Sequence, residues 1–152
     1  RWAVGSTHRI SLKRGIRKSR GAQLIQVETP EGALHLVNTH LGLDERERHW
    51  QIDFLLEHEL FQSSSVIPTF IAGDFNDWRN TLAEQSLANY GFQQVTSPPS
   101  EYRSFPSWLP VGGLDKVFVR GGVTTERVKV VRTSLARVAS DHLPIVVDFS
   151  LK

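Results

Sequence analysis

The stretch Pro68-Thr69-Phe70-Ile71-Ala72-Gly73-Asp74-Phe75-Asn76-Asp77 constrains the fold of this chain more than any other. Thr69 to Ala72 is a short apolar run, entered from a proline and closed by a glycine. A strand buried on both faces reads this way, because its side chains meet apolar neighbours whichever way they point. Asp74 and Asn76 stand at its exit. If extended geometry continues to Asn76, period-two alternation puts both on one face and Phe75 on the other. A carboxylate and an amide projecting together from the carboxyl end of a buried strand are placed for chemistry, since open α/β sheets bind ligands there. The alternative is an Asx-type turn, in which both side chains bond local backbone.

The rest of the chain repeats the pattern. Arg9 to Lys13 predicts an edge strand and Gly15 to Arg20 a basic loop. Ala22 to Glu28 alternates as a half-exposed strand does, and Thr29-Pro30-Glu31-Gly32 turns it into a partner, Ala33 to His40. Leu34, Leu36, Asn38 and His40 then share one side, so a second strand also ends in polar side chains. Asp44 and Glu47 form a capping pattern that opens a helix. Its apolar positions, Ile52, Leu55, Leu56 and Leu60, recur at helical spacing up to a stop at Ser63 to Ser65. Strand, helix and strand make a crossover unit.

Beyond it, Leu82 to Asn89 predicts a short helix, and Tyr90-Gly91-Phe92 its exit into a strand. Ser97 to Pro110 is a loop whose Phe105 and Trp108 either border a ligand or cap the core. Leu114 to Val119, Val123 to Thr133 and Leu143 to Phe149 read as three further strands. Asp115 lies at the start of the first of these, and Asp141 and His142 immediately precede the last.

At 152 residues and 39% hydrophobic, the chain has material for one globular core. No apolar run approaches the ~20 residues of a membrane span. The absence of cysteine excludes disulfides and thiolate metal sites and fits a reducing compartment, so a cytoplasmic location is expected. Residue 1 is Arg and there is no Met, which suggests a processed or partial chain. The net charge of +2 is small, but residues 1–20 carry Arg1, Arg9, Lys13, Arg14, Arg17, Lys18 and Arg20, with no acid before Glu28. This arm either attracts a polyanion or an anionic surface, or is a solvated hairpin with acidic partners elsewhere.

Asn38, His40, Asp74, Asn76, Asp115, Asp141 and His142 form a hard-oxygen set with acid/base groups attached. Such a set suits Mg²⁺ or Mn²⁺, which keep several waters and bind through one or two carboxylates plus substrate phosphate. Zinc would call for more His or Cys. A Ca²⁺ loop starting at Asp74 fails, because Arg79 stands where glycine is required. Ser140-Asp141-His142 cannot act as a triad, since adjacent residues do not line up head to tail. Metal-assisted hydrolysis of a phosphate ester remains.

Asn38-Thr39-His40-Leu41, Gly73-Asp74-Phe75-Asn76, Leu114-Asp115-Lys116-Val117-Phe118 and Ser140-Asp141-His142-Leu143-Pro144, in this order, resemble the endonuclease/exonuclease/phosphatase superfamily (deoxyribonuclease-I-like). The resemblance implies an α/β (α+β) fold, the C-terminal portion of a four-layer α/β sandwich, with a mixed, mostly antiparallel sheet and flanking helices. It implies that Asp74 orients and deprotonates the attacking water, with Asn76 bonded to that water or to the phosphate. Asp141 would be a metal ligand. His142 would contact the scissile phosphate, held by Asp115, and His40 would bind a phosphoryl oxygen or assist the leaving group; Asn38 is a supporting candidate.

Family members run to about 250 residues, and their early metal-binding Glu has no counterpart in residues 1–35. Residues 1–152 are therefore expected to be a single domain lacking the N-terminal part of the fold, with that missing half as a partner. The implied substrates are phosphate esters: nucleic acid, phospholipid head groups or small phosphodiesters. An inactive fragment, or a phosphate-ligand or nucleic-acid binding module, is the alternative.

Overall fold

The computed structural model describes residues 2–152; Arg1, the first cation of the basic arm, lies outside the described residues. Eight strands run in the order β1 (Ala3–Ser11), β2 (Gly21–Thr29), β3 (Gly32–His40), β4 (Thr69–Asp74), β5 (Gln93–Gln94), β6 (Asp115–Arg120), β7 (Val123–Val130) and β8 (Ile145–Leu151). A six-stranded sheet has the order β1-β2-β3-β4-β6-β5, and β7 and β8 pair separately. Every pairing is antiparallel except β3 with β4, which the crossover makes parallel. This is the mixed, mostly antiparallel sheet with flanking helices that the sequence led one to expect.

Alternation divides the large sheet into two faces. Ile10, Leu12, Ala22, Leu24, Val37, Ile71 and Phe118 join one core with Ile52, Leu55 and Leu56 of helix α1 (Glu45–Glu57) and Phe61 of helix α2 (Glu59–Gln62). Val27, Leu34, Phe70, Val117 and Val119 form a second core against Ile145, Val147 and Phe149 of β8. The molecule is therefore layered as helices, large sheet and β7–β8 ribbon. Phe61, Phe75 and Phe118 are fully buried; emptying any one of these sites costs about 3–5 kcal/mol.

Asp44 caps α1 as the sequence predicts, its Oδ1 accepting from the Glu47 amide at 3.0 Å. The helix does not run through to Ser63. It breaks at His58, whose backbone turns extended (φ −65°, ψ 136°) while its Nδ1 accepts from the Leu60 amide and starts α2. The helix near Leu82 holds a π-helical stretch, Ala83–Leu87. The strand expected to reach Thr133 ends at Val130, because Thr133 caps a helix with no apolar stripe to announce it, α3 (Ser134–Ala139), through a bond from the Ala136 amide.

Candidate active site

Strand register assembles the polar groups. His40 on β3 is paired with Asp74 on β4, and Asp74 with Asp115 on β6. The three residues thus form one transverse row on the face that carries the second core, at the end where the β7–β8 ribbon no longer covers the sheet. β3 and β4 approach closely there. Gly73 has φ +143°, and a Cβ on it would lie 1.9 Å from the Thr39 carbonyl oxygen, so only glycine fits.

His142 reaches this row from the loop before β8. Its Nδ1 lies 2.7 Å from Asp115 Oδ2. A carboxylate only accepts, so Nδ1 carries the proton and Nε2 is left facing Asp74 Oδ2 at 3.8 Å. On the other side, His40 Nε2 lies 3.4 Å from the same Asp74 oxygen. One carboxylate is thus flanked by two imidazoles.

Their environments push the two imidazoles apart. Burial alone would lower the pKa of His142, but the hydrogen bond and charge of Asp115, helped by Asp74 and Asp141, hold it above the ordinary value. Burial and the nearby Arg20, Lys18 and His142 hold His40 below it, against the pull of Asp74. The His40–Asp74 contact is accordingly that of a neutral ring beside a carboxylate, whereas His142 is poised to be a cation. Opposite shifts of this kind separate acid from base roles in one site.

Asn76 departs from the expected geometry. β4 ends at Asp74, and Asn76 adopts a left-handed φ of +49°, which Asn tolerates better than most residues. Its amide nitrogen accordingly donates from a buried position to the Leu41 carbonyl at 3.0 Å, and its backbone N–H donates to Asp74 Oδ1 at 2.8 Å. The Asx turn is formed, and alternation does not carry Asn76 onto the face of Asp74. The consequence is orientation: with Oδ1 tied down, Asp74 presents Oδ2 to both imidazoles. Asn38 is exposed on β3, and its side-chain amide donates to Gln23 Oε1 at 3.5 Å.

Ser104 lies in the loop singled out for its aromatics, but nothing in the sequence distinguished it from its neighbouring serines. It is fully buried, and its hydroxyl donates to Asp115 Oδ2, the oxygen that also holds His142. Its carbonyl accepts from the Leu143 amide at 2.9 Å, and the Ser107 amide donates to the Asp141 carbonyl at 2.7 Å. Phe105 packs on the His142 ring with centroids 4.8 Å apart. The loop therefore fastens the Asp141-His142 segment, while Trp108 stays exposed.

Among the described residues, no group of three or more His, Cys, Asp or Glu side chains could hold a metal ion. Asp141 is exposed, with Ser140 Oγ 3.4 Å from its Oδ1. One exposed carboxylate fits Mg²⁺ in donor type. It does not fill the coordination sphere, which would also need substrate phosphate and water.

A model of the endonuclease/exonuclease/phosphatase family matches residues 1–142. An uncharacterized protein of Escherichia coli strain K12, YbhP, is 32% identical over 126 residues, covering 78% of this chain and 47% of that protein. The chain thus spans about half the length of the curated relatives it matches. Among solved structures, an endonuclease/exonuclease/phosphatase from Beutenbergia cavernae superposes with a TM-score of 0.81 at 20% identity, over 99% of this chain and 45% of that one. The mannosyl-6-phosphatase Bt3783 of Bacteroides thetaiotaomicron gives 0.78 at 15% identity, over 99% and 67%. The human Nocturnin catalytic domain, with a bound sulfate anion, gives 0.75 at 22%, over 100% and 60%.

Proposed function

The chain belongs to the endonuclease/exonuclease/phosphatase family, and on that premise we propose that it carries the catalytic groups of a Mg²⁺-dependent phosphoesterase. The observation that carries the reading is Asp74 Oδ2 between two imidazoles of opposite bias, 3.4 Å from His40 and 3.8 Å from His142. In this reading Asp74 takes a proton from water as its oxygen attacks phosphorus in line, and the ester P–O bond opposite breaks. His142, kept cationic by Asp115, binds a non-bridging oxygen and stabilises the charge that builds there. His40, biased neutral, bonds another phosphoryl oxygen or the leaving group through its N–H. Asn76 acts through Asp74, by fixing the carboxylate, and Asn38 borders the opening.

Mg²⁺ would be held by Asp141 together with substrate oxygens, and it supplies neutralisation of charge on the phosphoryl group. Residues 1–152 are read as one unit of a longer family fold, acting on nucleic acid, lipid head groups or small phosphodiesters. The sulfate in the human Nocturnin structure and the mannosyl-6-phosphatase neighbour are compatible with a phosphoryl ligand. Among the described residues, no helix is long and apolar enough to cross a membrane.

The test is hydrolysis of bis-p-nitrophenyl phosphate with Mg²⁺ and with EDTA. Asp74→Ala should lower kcat by about 10²–10⁴-fold, the usual range for losing a general base, with unchanged circular dichroism. Turnover that survives both EDTA and Asp74→Ala would overturn the reading. A second reading is binding of a phosphate ester without turnover, and the sparse metal donors among the described residues favour it. Saturable phosphate binding with no turnover at any Mg²⁺ concentration would select it.

A further inference from the structure

A groove of about 860 Å³ runs from the Asp74 row across β3 and β2 to β1. Its far wall is cationic. The fold sends four cations of the basic arm two ways. Arg17 pairs with Asp44 and Glu47, while Arg14 donates to the Arg46 carbonyl and lies over the Trp50 ring. These two cations brace helix α1. Arg9 and Arg20 line the groove instead, and neither has an ion-pair partner among the described residues. Arg20 Nε is moreover buried without a hydrogen-bond partner among the described residues, and a buried donor left over in this way calls for an explanation.

Register gives the distances. Ser11, Gly21, His40, Asp74 and Asp115 are successive partners in one row across the sheet. Arg9, Gln23, Asn38 and Ala72 form the row two residues away on the same face. Adjacent strands lie about 4.8 Å apart, so Gly21 is one spacing from His40 and two from Asp74, and Arg20, its neighbour along the chain, lines the same groove. No Phe, Tyr or Trp among the described residues lines the groove, so it offers no platform on which a base could stack. What it can recognise is charge.

Resting on the phosphoesterase reading above, we propose that Arg9 and Arg20 form a subsite for a second phosphate of the substrate, roughly 5–10 Å from the scissile one. The preferred substrate is then an ester carrying at least two phosphates, of nucleotide or inositol type, and not an isolated monoester or diester. Arg is suited to the task, since its planar fork meets a phosphate with two parallel hydrogen bonds.

Two experiments separate this inference from the reading it rests on. In EDTA, thymidine 3′,5′-bisphosphate and thymidine 5′-monophosphate are titrated calorimetrically into the wild-type chain and into Arg9→Ala/Arg20→Ala. The wild type should favour the bisphosphate by about tenfold or more, and the double variant should lose that preference. A conservative Arg9→Lys/Arg20→Lys chain should keep part of it, as should the exposed single variant Arg9→Gln, which guards against misfolding. Absence of any preference in the wild type, or its persistence in the double variant, overturns the subsite.

The second experiment compares kcat/KM for the 5′-p-nitrophenyl esters of thymidine 5′-phosphate and thymidine 3′,5′-bisphosphate. Hydrolysis of both at equal efficiency leaves the phosphoesterase reading standing and removes the subsite. Arginine-dependent binding preference without any hydrolysis does the reverse. Inositol 1,4-bisphosphate in the calorimetric arm identifies the source: arginine-dependent binding equal to that of the nucleotide supports diphosphate recognition in general, and weaker binding supports a nucleotide.

Discussion

Asp115→Asn isolates the part of the site that depends on charge. The substitution keeps the shape of the side chain and removes its negative charge. Asp115 Oδ2 receives two donors in the wild type, the buried Ser104 hydroxyl and His142 Nδ1–H, the latter at 2.7 Å. A hydrogen bond to a charged partner contributes about 1.5–3 kcal/mol. If about 2 kcal/mol of this acts on the cationic imidazole in the transition state, kcat/KM falls by roughly 30-fold. The pH dependence is the sharper readout. His142 is held above its ordinary 6.5 because Asp115 outweighs burial, so in the variant burial is left unopposed by its strongest partner and the titration moves to lower pH. The alkaline limb of the kcat/KM profile should move with it. A raised folded pKa also stabilises the fold at pH values below the unfolded 6.5, an effect lost as pH rises through the folded value; Asp115→Asn should weaken it. The assay is a ¹H–¹³C NMR titration of the His142 ring beside the pH–rate profile. A His142 titration unchanged by Asp115→Asn would refute the dyad.

Gly73→Ala should destabilise the chain by about 3 kcal/mol or more in urea unfolding, because its Cβ would meet the Thr39 carbonyl oxygen at 1.9 Å; a loss below 1 kcal/mol, on the scale of a surface change, would mean that β3 and β4 separate easily at the site. Ser104→Ala should cost about 1 kcal/mol of stability and lower kcat several-fold, with the His142 titration moving less than in Asp115→Asn; an equal shift would assign the fixing of the dyad to the serine. His35 is buried, packed 5.6 Å from Phe61, and lowered by burial, then by Arg120 and His8, from 6.5 to about 4. The unfolded chain therefore binds its proton first, and stability is lost as pH falls between those two values, on the order of 3 kcal/mol in all. His35→Phe should flatten that part of the acid-unfolding curve, and an unchanged slope would remove His35 as its source.

What the amino-acid order determined by itself is local. Alternation in Ala33 to His40 predicted that Leu34, Leu36, Asn38 and His40 share a face, and Leu34 and Leu36 do lie in the core of that face. The apolar run from Thr69 announced β4, and Asp44 with Glu47 announced the start of α1. Each strand-end polar group was visible for the same reason: it stands where an apolar pattern stops. Periodicity did not show the partnerships; that Asp115 holds His142 was implied only by the family resemblance. Ser104, the donor to Asp115, looked like any serine in a loop; Asn76 turned from the expected face when the chain entered a left-handed conformation; and a run of cations that read as one patch was split between α1 and an open groove. Periodicity records which neighbours along the chain share a face. Which residues meet across the sheet depends on the register in which distant strands pair, and that is settled only when both cores close at once.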